Sequence, residues 1–269
     1  MDEVAGDTAQ RRRGKLMQWL RSILFTIWAY GLVLVLGILF LPALLMPRGA
    51  TLLGIRTWAR MVRWGLRWIA GIKTELRGME NIPDGPVIYA PKHQSMYDVI
   101  TPFLVFDAPA LIMKRELLYY PIFGWFALKA EMIPIDRAGT VRTLKRMMAA
   151  AGERVEQGRP ILIFPEGTRR LPGAPPIYKS GVFGIYRSLD IPIVPVATNS
   201  GLCWQRKGIF RRKGTIVFEA LPAIETGLDR RVLLSRLETS IEDGTDALLD
   251  EGLALQGRSR KDLPDHEPD

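Results

Sequence analysis

The sequence predicts an α/β fold: a mostly parallel or mixed sheet flanked by helices, preceded by a membrane-associated segment of two helices at the N-terminus. Three observations carry this prediction. Short apolar runs alternate with helical stretches from residue 74 onward. An uncharged run of 24 residues extends from Ile23 to Met46. Hydrophobic residues make up 48% of a 269-residue chain, enough to bury the core of one large domain with an appendage.

The elements follow in chain order. Residues 1–22 read as a polar, basic arm that frays at its start. ILFTIWAYGLVLVLGILFLPALLM, 23–46, reaches roughly 36 Å as a helix at about 1.5 Å per residue, long enough to cross a bilayer. No A-x-A-like site follows it, so it reads as an uncleaved anchor. Five positive residues lie upstream and five shortly downstream, a symmetry that suits a hairpin with both ends cytoplasmic. The following stretch spaces Arg56, Arg60, Arg63 and Arg67 by four, three and four, which aligns them on one helix face among tryptophans. Residues 23–72 are therefore expected to form two membrane-associated helices, placing the protein on the cytoplasmic side of the inner membrane. Eleven Lys/Arg against four acids in residues 1–75, with five of the seven tryptophans, favour a lipid bilayer over nucleic acid as the partner. Strands are expected at 86–92, 110–114, 131–137, 160–167, 191–198 and 215–221, and the clearest helices at 139–156 and 229–249. The catalytic unit is bounded at 73–250, and 251–269 reads as a polar, disordered tail containing His266.

Two strand ends carry candidate chemistry. In KHQSMYD, His93 and Asp98 are five apart, roughly 140° around a straight helix, so they meet only if the chain turns between them. Ser95-x-x-Asp98 offers that turn as a capping box, with Ser95 at the N-cap of a helix. The cap alone explains Ser95 and Asp98; a His-Asp dyad, the carboxylate fixing the imidazole for proton abstraction, is the competing explanation. In FPEGTRR, Glu166, Gly167, Thr168, Arg169 and Arg170 can cradle a phosphate or form an ordinary salt-bridged turn with Glu166 on Arg169. Lys114, Arg115 and Arg137 also follow apolar runs. One cysteine and two histidines exclude disulfides within the chain and argue against a metal site. Cys203 reads as a buried structural thiol. No phosphate-binding P-loop, dinucleotide fingerprint or G-x-S-x-G elbow occurs.

Taken together, KHQSMYD, the LIMKREL to IPIDR region, FPEGTR and IVPVA stand in the order and spacing of the four motif blocks of the glycerolipid acyltransferase family. The chain resembles its bacterial 1-acyl-sn-glycerol-3-phosphate acyltransferases most, over residues 74–222. The resemblance implies the glycerol-3-phosphate acyltransferase-like α/β fold. It implies His93 as general base and Asp98 as its orienting partner. Glu166, Gly167, Thr168 and Arg169, with Lys114 and Arg137, would bind the substrate phosphate. Val194, Pro195 and Val196 would lie on the acyl-donor side. Two departures stand out: Lys92 where the first block commonly has Asn, and Pro134 where the second commonly has an aromatic or small residue.

The implied reaction transfers an acyl group from acyl-CoA or acyl carrier protein (acyl-ACP) to the sn-2 hydroxyl of lysophosphatidic acid, giving phosphatidic acid for phospholipid biosynthesis. A thioester is already activated, so no metal and no cofactor beyond the co-substrate is expected. Two alternatives remain: the same chemistry on another lysolipid, such as a lysophospholipid or lyso-ornithine lipid, and a membrane protein that binds lipid phosphate without turnover.

Overall fold

The computed structural model describes residues 2–136 and 141–264. In chain order it contains α1 (Asp2–Leu39), α2 (Arg48–Gly65), β1 (Ile72–Arg77), β2 (Ile88–Pro91), α3 (Pro102–Val105), β3 (Ala110–Lys114), α4 (Phe123–Lys129), β4 (Ile133–Ile135), α5 (Val141–Glu156), β5 (Ile161–Leu162), α6 (Gly181–Leu189), β6 (Ile193–Thr198), α7 (Ser200–Cys203), β7 (Gly214–Ala220) and α8 (Arg230–Leu255).

Seven strands form one sheet in the order β1-β7-β6-β2-β5-β3-β4. β6, β2, β5, β3 and β4 run parallel; β7 is antiparallel to β6 and carries β1 parallel to itself. The apolar runs are continuous because both faces of the sheet are covered. Alternate residues then serve two cores: Tyr89, Leu162 and Val194 face a cluster with Phe25, Val62 and Leu249. Ile88, Ile161 and Ile193 face a second cluster with Met147, Ile185 and Leu237. α8 contributes to both, through Leu233, Leu237 and Ile241 at one end and Leu249 and Leu253 at the other.

The N-terminal segment is a hairpin. α1 breaks after Leu39 at a 3-10 turn, Leu41–Leu44, where Pro42 cannot continue the helix. α2 returns and runs through a π turn, Leu66–Ala70, to Gly71 at φ 73°, a left-handed stop that favours glycine. Residues Arg12–Leu39 of α1 are long and apolar enough, by length and composition, to cross a membrane. One face of this helix is pinned to the domain: Phe25 is buried edge-on to Trp204 at 5.3 Å, and the Gln18 amide donates to the carbonyls of Ala70 and Arg211. The other face leaves Leu20, Leu24, Ile27, Leu34 and Ile38 exposed.

Secondary structure extends beyond two of the boundaries read in the sequence. The basic arm continues α1 in one helix from Asp2, since its Ala, Gln, Arg, Lys and Met residues propagate a helix already nucleated downstream. The tail carries a 3-10 turn, Arg260–Asp262: Arg260 holds Asp250 of α8 through hydrogen bonds of 2.7 and 3.0 Å, beside a capping box of Ser259 and Asp262. His266 lies outside the described residues.

Candidate active site

The site is assembled where adjacent parallel strands end. β5 lies between β2 and β3, so the segments leaving their C-terminal ends share one sheet edge, the usual ligand edge of such sheets. KHQSMYD leaves β2, FPEGTRR follows β5 and Lys114 ends β3.

Lys92 N–H still bonds in the ladder, to Val196 O at 2.9 Å; beyond it the chain turns. Asp98 Oδ2 accepts from the N–H groups of Gln94 (2.6 Å) and Ser95 (2.7 Å) and lies 3.0 Å from His93 Nδ1. Asp98 Oδ1 accepts from Ser95 Oγ at 2.9 Å, and Ser95 Oγ accepts from Tyr97 N–H at 3.0 Å. Ser95 and Asp98 therefore bond each other, but the helical turn that follows is a 3-10 turn, Tyr97–Val99, whose N-cap is Met96 with no side-chain cap, in place of the expected Ser95 N-cap and longer helix. The next helix, α3, begins only at Pro102. A carboxylate only accepts hydrogen bonds, so it commits Nδ1 to the N–H form and leaves the Nε2 lone pair of neutral imidazole free.

The FPEGTRR loop forms the bed of this histidine. Phe164 stacks on the His93 ring, centroids 3.9 Å apart and planes 20° from parallel, and Arg170 N–H donates to His93 O at 2.7 Å. Gly167 holds φ 67° while its N–H donates to Phe164 O at 3.0 Å, a tight reversal that suits glycine. Arg169 is half-buried and donates through Nη1 to Arg206 O at 3.2 Å. Thr168 is half-buried and Lys114 exposed.

Glu166 does not open onto that rim. It is 1% exposed, with Oε1 3.0 Å from Lys92 Nζ and Oε2 buried without a partner. Burial pushes its carboxyl up to about 7, against the lowering effect of Lys92. Lys92 Nζ also donates at 2.7 Å to Glu242 on α8, whose Oε1 accepts from the Tyr178 hydroxyl at 2.9 Å. Lys92 therefore locks the dyad turn, the FPEGTR loop and α8 together. Burial, followed by the neighbouring Glu242 charge, raises the Tyr178 phenol above its ordinary range.

The structure thus brings His93, Asp98 and the 164–170 loop into one constellation, with Lys114 at the end of a neighbouring strand. It does not open Val194, Pro195 and Val196 to a surface: all three are buried in β6, paired with Tyr89, Ala90 and Pro91. Arg137 lies outside the described residues. Cys203 is buried, and burial pushes its thiol up to about 12, the state of a structural cysteine. Sequence reasoning missed three parts of the site. Phe164 stood inside a quoted motif without an assigned role. Gln94, whose Oε1 accepts from Gly201 N–H at 3.0 Å, had only its place beside His93 to mark it. Glu242 had no local signal.

Comparison with known proteins agrees with this architecture. A model of the acyltransferase family matches residues 73–199. A 1-acyl-sn-glycerol-3-phosphate acyltransferase of Pseudomonas aeruginosa is 33% identical over 210 residues, covering 77% of this chain and 82% of that protein. One of Limnanthes alba is 32% identical over 209 residues, covering 76% and 70%. The crystal structure of the 1-acyl-sn-glycerophosphate acyltransferase of Thermotoga maritima shares the fold, with a TM-score of 0.71 at 22% identity over 86% of this chain and 97% of that one. With a close match across most of its length and the family model over the dyad and FPEGTR segments, this chain belongs to the acyltransferase family.

Proposed function

We propose that the protein transfers an acyl group from acyl-CoA or acyl-ACP to the sn-2 hydroxyl of 1-acyl-sn-glycerol 3-phosphate, forming phosphatidic acid. The observation that carries this reading is the 3.0 Å contact of His93 Nδ1 with an Asp98 carboxylate already fixed by backbone N–H groups. It leaves Nε2 as the acceptor for the hydroxyl proton.

In the proposed reaction the hydroxyl oxygen attacks the thioester carbonyl carbon as its proton passes to His93 Nε2. The tetrahedral oxyanion then collapses, the C–S bond breaks, and the proton passes from His93 to the departing sulfur. Asp98 stabilises the imidazolium between these steps and keeps the ring oriented. Phe164, stacked on the ring, limits its rotation.

Lys114, Arg169 and Arg137, with the Gly167 backbone and Thr168 hydroxyl, are the proposed phosphate contacts; guanidinium groups suit bidentate pairing with phosphate oxygens. Glu166 is better assigned to holding this loop through Lys92, because a carboxylate at the phosphate would repel it. Val194, Pro195 and Val196 support β2 from the sheet interior, and donor-side contact would fall to residues beyond them. α1 and α2 would keep the site at the cytoplasmic face of the inner membrane, within reach of an acceptor whose acyl chain stays in lipid.

The test offers the purified full chain a panel of lysolipids with each thioester donor and identifies products by mass. Phosphatidic acid is the expected product, and Lys114→Ala or Arg169→Ala raises KM for lysophosphatidic acid by about ten-fold or more, the loss of one charge-assisted contact. Turnover only with a phosphate-free lysolipid would reassign the acceptor.

A further inference from the structure

The four arginines aligned along the α2 segment do not share one fate. Arg56 ends on Asp107 at 2.6 Å. Arg60, Arg63 and Arg67 are exposed and have no carboxylate partner among the described residues. With Trp64, Trp68 and Thr74 they line one open cleft of about 420 Å³. Like charges three and four residues apart on a helix repel one another, and an anion seated between them would remove that penalty.

The setting narrows the anion. Trp64 and Trp68 are 51% and 63% exposed, and the Arg67 guanidinium lies 5.6 Å from the centre of the Trp68 ring. Exposed indoles among arginines suit the boundary between lipid and water, where the ring rests on acyl chain and the cation on phosphate. Trp64 at the cleft wall is backed by Trp28 of α1, their ring centres 5.3 Å apart. None of His93, Asp98, Glu166, Gly167, Thr168, Arg169 or Lys114 lines it. It is nevertheless tied to the dyad turn, because Thr74 Oγ1 lies 2.9 Å from the hydroxyl of Tyr97, the residue before Asp98.

We propose that Arg60, Arg63 and Arg67 form a second, non-catalytic site that holds the phosphate headgroup of an anionic bilayer phospholipid, with Trp64 and Trp68 against its glycerol and upper acyl chain. This bound lipid is distinct from the acceptor consumed at His93. It fixes the height of the α2 segment in the headgroup layer, and through Thr74 and Tyr97 it steadies the turn that carries Asp98.

The experiment uses the full chain in neutral detergent micelles, with retained lipid counted by native mass spectrometry. Dioleoyl phosphatidylglycerol, dioleoyl phosphatidylcholine and inorganic phosphate are the probes. Phosphatidylglycerol is expected to be retained about ten-fold better than phosphatidylcholine, and equally by His93→Ala, which separates this site from the catalytic one. The triple variant Arg60→Gln, Arg63→Gln, Arg67→Gln should lose about ten-fold or more of that retention, with an unchanged thermal melt. A second measurement needs no variant: raising NaCl from about 0.05 to about 0.5 M should lower retention several-fold in the unmodified chain. Equal retention of both lipids, or salt-insensitive retention, would overturn the proposal. Displacement of phosphatidylglycerol by inorganic phosphate would make free phosphate the ligand. Loss of binding to an acidic carrier protein in the triple variant, with phosphatidylglycerol retention unmoved, would make the cleft a protein-docking site.

Discussion

Asp98 accepts hydrogen bonds from two backbone N–H groups, the Ser95 hydroxyl and the His93 ring, so one carboxylate both shapes the turn and sets the imidazole tautomer. The turn and the proposed dyad, which compete as explanations of the sequence, draw on the same carboxylate. Behind the turn, Lys92 is buried between Glu166 and Glu242. Lys92 stood out as a departure from the usual Asn, but its reason was not legible: the Glu242 partner is 150 positions away, on the polar side of a helix. This cluster gives a pH dependence with a definite sign. The Glu166 carboxyl is raised from 4.5 to about 7, so the folded chain binds more protons than the unfolded one between those values. The stability from this group is fully present below 4.5 and lost as pH rises through about 7. Glu166→Gln carries no such loss, so from pH 5 to 8 its stability should gain on the unmodified chain by up to about 3 kcal/mol, read from thermal melts. A constant difference across that range would remove Glu166 from the titration.

The strands that position the site were legible as apolar runs: Ala110–Lys114 matches its expected span, four of the other five runs each contain a strand, and 215–221 overlaps β7 with a shift of one residue. β1 was not, because IKTELR places Lys73, Glu75 and Arg77 on alternate positions of an edge strand with one half-solvated face. α6 was hidden for the opposite reason, as an apolar segment just before the apolar run of β6. The junctions between elements were equally silent. Arg159, 2% exposed, donates to the carbonyls of Ala108 (2.9 Å), Pro109 (3.3 Å) and Ala130 (2.9 Å), tying the entries of β3 and β4 to the start of β5. Arg159→Ala leaves those carbonyls, two of them buried, without this donor. It is expected to cost about 3 kcal/mol in denaturant unfolding; a cost below about 1 kcal/mol would mean water replaces the guanidinium.

At the scale of the molecule, one chain joins an α/β layer to a helical hairpin. The α1 helix keeps one side for the core, with Phe25, Leu32 and Leu36 buried, and leaves the opposite side apolar and exposed. The sequence disclosed the hydrophobic length of this segment; it could not disclose that Gln18 and Ser22 would bind the Arg211 backbone from 193 and 189 positions away. This division predicts that the full chain sediments with membranes after alkaline carbonate washing and is released by detergent; release by carbonate alone would make the attachment peripheral. The sheet edge below the hairpin is where all the proposed chemistry converges, and one variant interrogates it. Purified His93→Ala, assayed for phosphatidic acid formed from lysophosphatidic acid and an acyl thioester, should fall by about 10²- to 10⁴-fold in kcat, with its melt and membrane association unchanged. Turnover within about ten-fold of the unmodified chain would contradict the assignment of His93 as the base.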